Sequence, residues 1–333
     1  MTGPPDQRLA RTPTQPTDTV GLATGPVQVG SRTGRRSRMT SRRRRTLANL
    51  MFAAPGTVFL AILALYPMWI LVQMSISDVT ITNILGYWPL VGLDNFRAVF
   101  SDPVFKVVTL QTVAFVMIIL VVTMVAGTAF ALALKGNGRL ARVTQTTMIL
   151  VWTLPPVIVG SLWKFLLASD GIISASLVKL GLVSRPVPFL SQPITSLAAI
   201  MLVSLWVGIP FATLVIKSAM LDISQDVLDA AKADGASDLQ IILLIVLPLI
   251  RPTLLILGVL SVVGAFKAFD FIYVMTSGGP GTSSSTIPFL GYLTAFQSYQ
   301  FGHASAISVV AMIIVLALAV GYIIAIRNEE QAR

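Results

Sequence analysis

Residues 107–134 read VVTLQTVAFVMIILVVTMVAGTAFALAL, a stretch without a charged residue between Lys106 and Lys135. A helix needs about 20 residues to cross the hydrocarbon core of a bilayer, so this stretch is long enough to span a membrane. The same criterion selects five more stretches, at 51–74, 143–167, 194–217, 250–275 and 303–326. We therefore predict an all-α membrane protein with six transmembrane helices.

The composition of the whole chain agrees with a bilayer environment. Of the 333 residues, 55% are hydrophobic and 11% are charged, whereas soluble domains carry about 25% charged residues. Most of the charges lie in the first 47 residues or in short segments between the apolar stretches. A water-soluble fold needs charge over its surface, so this pattern excludes an ordinary soluble globular protein.

Residues 1–47 differ from the rest of the chain, because they are rich in Pro, Thr, Gly, Ser and Arg. Such a segment buries too little apolar surface to offset its chain entropy, so we predict a disordered basic cytoplasmic tail. The tail ends in the arginine run 42–45, directly before the first apolar stretch. This run is expected to contact anionic lipid rather than nucleic acid. The transmembrane domain is predicted at 48–329, with a cytoplasmic end at 330–333.

The distribution of Lys and Arg predicts the orientation of the chain. If the N-terminus is cytoplasmic, eighteen of the 24 basic residues fall in cytoplasmic segments and four fall in outer loops. Basic residues accumulate on the cytoplasmic side of membrane proteins. We therefore predict a multi-pass membrane protein with both termini in the cytoplasm.

The sequence lacks the residue sets that enzymes use. It has no cysteine and a single histidine, His303, and no paired carboxylates or Ser/His/Asp set are apparent. The phosphate-binding pattern G-x-x-x-x-G-K-S/T is also missing. We therefore predict a non-catalytic chain without a metal site or a bound cofactor, so any ATP must be bound by another chain.

Two charged residues lie well inside the fifth apolar stretch. Lys267 and Asp270 are three residues apart, so on a continuous helix they would share one face and could pair. Each alone at a helix centre costs about 2.5–3.5 kcal/mol. A single pair without net charge is unlike the ionisable sites that couple transport to an ion, but it suits the path of a polar solute. We also assign Phe269 to this path. A pair that only locks helix packing remains the alternative.

The segment 218–249, between the fourth and fifth spans, carries several helix-capping residues. Ser224 can cap a short helix, and Gly235 can end it because glycine accepts a left-handed backbone. Ser237 and Gln240 then fit a capping box that starts a second helix. We predict a helix, a glycine turn and a second helix that dock into a partner's groove. An ordinary re-entrant hairpin remains the alternative.

The same segment resembles the EAA loop of binding-protein-dependent ATP-binding-cassette importers. That family has the pattern E-A-A, three residues, G, nine residues and I-x-L-P, and this chain departs from it in having Asp229 for Glu. The resemblance implies a cytoplasmic coupling loop at 218–249 that contacts an ATPase subunit. The coupling residues that it implies are Asp229, Ala230, Ala231, Asp234, Gly235, Ala236 and Pro248.

Two further stretches resemble the sugar-type permeases of this family, namely 91–96 and 269–281. The resemblance implies a bacterial cell-membrane importer of a carbohydrate, built with a second similar permease. It also implies two cytoplasmic ATPase subunits that bind ATP and Mg, and an extracytoplasmic substrate-binding protein. The alternative within transport is another polar solute, such as glycerol phosphate or a glycerophosphodiester. The alternative from another class is a membrane scaffold or assembly protein.

Overall fold

The computed structural model describes residues 35–134, 136 and 138–331. The chain divides into two units, residues 1–63 and residues 64–333. In the described part, the first unit consists of the beginning of helix α1, and the second contains the end of α1 and every other helix. The described residues form helices and connecting loops, and two isolated bridges are their only β contacts. The predicted all-α class is confirmed.

The helices have the following bounds. In chain order they are α1 (Arg35–Ser75), α2 (Asp94–Ser101), α3 (Pro103–Ala133), α4 (Arg139–Thr153), α5 (Pro156–Leu166), α6 (Ile172–Lys179), α7 (Pro193–Leu221), α8 (Gln225–Ala233), α9 (Asp238–Ile241), α10 (Leu247–Leu249), α11 (Arg251–Phe266), α12 (Phe269–Met275), α13 (Ile287–Phe296) and α14 (Phe301–Gln331). A π-helical segment, Ile242–Val246, joins α9 to α10.

Helix α1 begins earlier than the sequence predicted. The tail assigned to 1–47 lies outside the described residues up to 34, but α1 already includes Arg35. The structure therefore has helix where 35–47 was predicted to be disordered. Arginine has a high helix propensity, and a helix nucleated in an apolar span propagates readily into such a segment.

Five described helical segments are long and apolar enough to cross a bilayer. They are Ala54–Ser75, Pro103–Ala133, Pro193–Leu221, Arg251–Met275 and Phe301–Gly321. A sixth crossing is obtained if α4 and α5 are counted together as one bent span. The six predicted apolar stretches therefore correspond to five spans and one broken pair.

The break between α4 and α5 bends the chain by 101°. It falls at Leu154, Pro155 and Pro156, so the predicted stretch 143–167 is two helices rather than one. A proline supplies no backbone N–H, and it pushes the preceding residue out of the helical region. Leu154 accordingly has the extended ψ angle of 134°.

Two long helices of the core, α3 and α7, pack closely against each other. A Cβ atom added to Gly127 of α3 would lie 2.9 Å from the Cβ of Ala212 on α7. The interface continues through the buried residues Phe115, Ile200 and Val203. Small residues at such crossings let two backbones approach, which is a common basis of helix packing in membranes.

Candidate solute cavity and coupling loop

A cavity of about 270 Å³ lies among α3, α4, α5, α7, α11 and α12. Its wall combines hydroxyl groups, aromatic rings and two charged side chains. The polar and aromatic residues that line it are Thr123, Trp152, Ser204, Phe211, Ser261, Lys267, Asp270 and Phe271. Four of the contributing helices belong to the candidate membrane spans and the other two to the bent pair, so the cavity places polar and charged groups among apolar membrane helices.

The hydroxyl of Thr123 is an unsatisfied polar group in this wall. Thr123 is 3% exposed, and its Oγ1 has no hydrogen-bond partner among the described residues. The hydroxyl of Ser204 donates to the carbonyl oxygen of Ile200 at 2.8 Å, which leaves its own oxygen able to accept a bond. A buried hydroxyl without a partner costs about 1–3 kcal/mol, so a ligand hydroxyl that reached Thr123 would stabilise it.

The aromatic part of the wall is formed by two stacked rings. The rings of Trp152 and Phe211 have centroids 5.0 Å apart and an interplanar angle of 17°. Phe271 lines the cavity from α12. The cavity therefore offers flat apolar surface beside hydroxyls and charges.

Lys267 and Asp270 both line the cavity, but they do not pair. Helix α11 ends at Phe266 and α12 begins at Phe269, so the two residues do not lie on one continuous helix. No ion pair joins Lys267 and Asp270 in the part of the chain that the structure describes. The predicted pairing of Lys267 with Asp270 is therefore wrong, because the break removes the helical spacing on which it depended.

Phe269 lies outside the cavity wall, in an aromatic cluster next to it. Its ring stacks on Tyr273 with a centroid distance of 5.7 Å and meets the edge of Tyr292 at 5.0 Å. It also contacts Phe289 at 5.2 Å between centroids. Phe269 therefore packs α12 against α13. Phe271, rather than Phe269 as the sequence suggested, lines the cavity.

Several cavity residues were not singled out from the sequence. Ser204, Gly208 and Phe211 follow one another at spacings of four and three residues, so they lie on one face of α7. Thr123 on α3 and Ser261 on α11 are isolated polar residues inside apolar stretches. Polar residues at helical spacing within a span were the available signal, since they tend to face the bundle interior.

The segment 218–249 has the local structure that its capping residues predicted. The Asp226 N–H donates to the Ser224 hydroxyl at 3.3 Å, which caps α8. Gly235 has a φ of +81°, and it forms the turn after α8. Ser237 and Gln240 make the capping box at the start of α9.

The residues of the coupling loop divide into a buried set and an exposed set. Leu228 and Ala231 are buried, in an apolar cluster that includes Ala131 of α3, Ile216 of α7 and Leu257 of α11. Among the described motif residues, Ala236 is half-buried. The exposed ones are Asp229, Ala230, Asp234, Gly235 and Pro248. Ala231 is therefore a packing residue of the loop, whereas the exposed set is available to a partner.

No group of His, Cys, Asp and Glu side chains that could hold a metal ion is found in the described part of the chain. The charged residues of the cavity, Lys267 and Asp270, differ in sign and are separate from each other.

Comparisons with known proteins agree with this architecture. The family model described as "Binding-protein-dependent transport system inner membrane component" matches residues 123–329. The chain is 32% identical to the trehalose/maltose transport system permease protein MalF of Thermococcus litoralis, over 71% of this chain and 79% of that protein. It is 27% identical to the diacetylchitobiose uptake system permease protein DasB of Streptomyces coelicolor, over 96% and 97% of the two chains.

The fold also matches a solved structure. A chain from the crystal structure of a bacterial ABC transporter for the import of the acidic polysaccharide alginate superposes with a TM-score of 0.72. The match covers 86% of this chain and 98% of the other, at 24% sequence identity. At this identity the likeness concerns the fold.

Proposed function

This chain belongs to the family of binding-protein-dependent transport system inner membrane components, and we propose that it is a permease subunit of an ATP-driven carbohydrate importer. The observation that carries the proposal is the cavity with hydroxyls, aromatic rings and charged groups inside the helix bundle. The names of the relatives support a carbohydrate, since they include permeases for trehalose or maltose and for diacetylchitobiose.

The chemistry of the cavity favours a neutral sugar. Sugars have apolar faces that stack on rings such as Trp152 and Phe211, and hydroxyls that exchange hydrogen bonds with Thr123 and Ser204. An anionic solute such as glycerol phosphate would favour an excess of positive charge. Among the lining residues, Lys267 is balanced by Asp270, so we rank glycerol phosphate and glycerophosphodiesters second.

The cavity and the coupling loop are linked through packing, and this suggests how the permease works. The buried residues Leu228 and Ala231 join the loop to α3, α7 and α11, which all contribute to the cavity wall. A displacement of the loop by an ATPase subunit would therefore move helices that line the solute path. This is rigid-body gating transmitted through an interface.

The proposed assembly has four kinds of component. This chain would pair with a second similar permease, and two cytoplasmic ATPase subunits would bind ATP and Mg. An extracytoplasmic binding protein would deliver the sugar, and the basic N-terminal segment would contact anionic lipid. The exposed motif residues Asp229, Ala230 and Asp234 would contact the ATPase, with the Asp229 Oδ1 held by the Gln225 amide at 3.1 Å.

Sugar uptake by the Thr123→Val variant tests the proposed role of the cavity. Loss of a hydroxyl that bonds the solute is expected to raise the KM of uptake by about threefold to tenfold, since such a bond contributes about 0.5–1.5 kcal/mol. Thr128→Val is the matched control, because Thr128 lies on the same helix and its hydroxyl donates to the Met124 carbonyl at 2.7 Å. An unchanged KM in Thr123→Val, or an equal change in both variants, would contradict the proposal.

A further inference from the structure

We propose that a second cavity, directly beneath the coupling helix α8, binds the phosphate group of an anionic lipid through Lys217. This cavity has a volume of about 180 Å³ and lies among the ends of α3 and α7, the start of α8 and the π-helical segment. Its wall includes Ala131, Lys217, Met220, Gln225 and Leu228. It is separate from the solute cavity, and the two share no lining residue.

The first argument is the unbalanced charge of Lys217. Its side chain is buried, with 8% of the residue exposed. It makes no hydrogen bond or ion pair with any residue that the structure describes. A lysine whose side chain is largely withdrawn from water normally has a paired or anion-bound ammonium, because an unpaired charge is costly there.

The second argument is the absence of a counter-charge in the described wall of this cavity. Lys217 is the only charged residue there, although the adjoining segment carries Asp222, Asp226 and Asp229. These three aspartates are exposed and do not line the cavity. The side chains of this wall therefore include one positive charge and no negative one, and the only opposing charge there is the partial negative charge of the C-terminal ends of α3 and α7.

The third argument is the position of the N-terminus of α8 at the same cavity. Gln225 is the first residue of this helix of nine residues, and both Gln225 and Leu228 line the space. A helix N-terminus carries a partial positive charge and points backbone N–H groups outward, which favours anions. An anion here would lie near the Lys217 side chain and the first turn of α8, whose Asp226 N–H is already bonded to Ser224.

The position along α7 argues for a lipid as the source of the phosphate. Lys217 lies four residues before the end of α7 at Leu221, the end predicted to be cytoplasmic. A helix of 29 residues is about 43 Å long, whereas the hydrocarbon core is about 30 Å thick. At least one end of α7 therefore reaches the headgroup region, and we assign the Lys217 end to it, because basic pockets between helices bind anionic headgroups on the cytoplasmic side.

A phosphate bound in this cavity would stabilise the packing of the coupling loop against α3 and α7. Leu228 lies both in the cavity wall and in the apolar cluster that joins the loop to α3 and α7. Neutralising Lys217 with a phosphate removes a charge that opposes this packing. We therefore expect anionic lipid to raise the sugar-stimulated ATP hydrolysis of the assembled importer.

Retention of lipid by the assembled importer tests this inference. The complex is placed in nanodiscs of phosphatidylcholine with or without phosphatidylglycerol, and bound lipid is counted by native mass spectrometry. Wild type is expected to retain phosphatidylglycerol, and Lys217→Gln to lose affinity for it by about tenfold or more, as for a charge-assisted bond. Lys217→Arg should keep binding. Lys232→Gln is the matched control, because Lys232 is an exposed lysine on α8 of the adjoining coupling loop.

A second arm separates lipid from free phosphate. Inorganic phosphate is added to the complex in phosphatidylcholine alone, and thermal unfolding is followed. Stabilisation of wild type but not of Lys217→Gln by phosphate, without selective lipid retention, would assign the site to a soluble anion and overturn the lipid source. A wild-type complex that responds to neither ligand would overturn the inference in favour of a carboxylate from a partner subunit. Equal responses in wild type and Lys217→Gln would also overturn it.

Discussion

Gly235 combines a left-handed backbone with open space around its α-carbon. Its φ is +81°, and a Cβ atom added there would meet nothing within 4 Å. A side chain at this position is therefore opposed by backbone strain and not by a clash, at about 1–2 kcal/mol for an ordinary residue. The turn between α8 and α9 depends on this one conformation.

Replacing Gly235 is expected to impair coupling more than membrane insertion. The Gly235→Val variant should insert normally and should show reduced sugar-stimulated ATP hydrolysis in the assembled complex, because a β-branched residue resists positive φ. Gly235→Asn should retain most of the hydrolysis, since asparagine tolerates this region. Full activity of the valine variant in both hydrolysis and uptake would mean that the turn is not part of the docking element.

Because Lys267 and Asp270 do not form an ion pair, exchanging their charges tests whether they contact the solute. In the double variant Lys267→Asp with Asp270→Lys, assembly should be preserved, because no described ion pair is broken. Sugar affinity should change, because both side chains line the cavity. Uptake kinetics of purified complexes in proteoliposomes measure this, and unchanged KM and kcat would remove both residues from the solute path.

At the scale of elements, the contact between α3 and α7 depends on the size of two facing residues. A methyl group on Gly127 would crowd the methyl group of Ala212, with only 2.9 Å between the two carbons. The remaining neighbours of that added carbon are 3.5 Å away, at ordinary contact distance. The distance of closest approach between α3 and α7 is therefore set at this point by Gly127 and the methyl group of Ala212.

Exchanging these two residues tests the interface. Gly127→Ala alone is expected to lower stability by about 1–3 kcal/mol, as overpacking of a close interface does. The double variant Gly127→Ala with Ala212→Gly should recover most of this loss, because the crowded methyl group is removed. Thermal unfolding in detergent reports the difference. A double variant that is no more stable than Gly127→Ala would refute the close contact.

At the scale of the whole molecule, the prediction is that both termini lie in the cytoplasm. The chain has no cysteine, so single cysteines can be labelled without background. Leu85 is 100% exposed in a predicted outer loop, and Leu140 is 80% exposed near the start of α4 on the predicted cytoplasmic side. A membrane-impermeant maleimide added to whole cells should label Leu85→Cys and not Leu140→Cys. The reverse pattern would invert the topology.

The sequence by itself determined the features that depend on neighbouring residues. Long apolar stretches predicted the spanning helices, since a backbone in hydrocarbon must satisfy its own hydrogen bonds. Ser224, Gly235 and the pair Ser237 and Gln240 predicted the helix ends of the coupling loop, because capping acts over three or four residues. The apolar stretch 143–167 was predicted as one span, and neither the break after Leu154 nor its angle of 101° was evident from its length.

Only the tertiary structure decided which residues face inward. In a spanning helix nearly every face is apolar, so the periodicity that separates core from solvent in a soluble helix carries little information. Thr123 was therefore not recognised among its apolar neighbours, and Phe269 was assigned to the cavity although it lies outside the wall. Lys217 was counted only among the basic residues that indicate topology. The interruption at Lys267, which separates that residue from Asp270, also appears only in the structure.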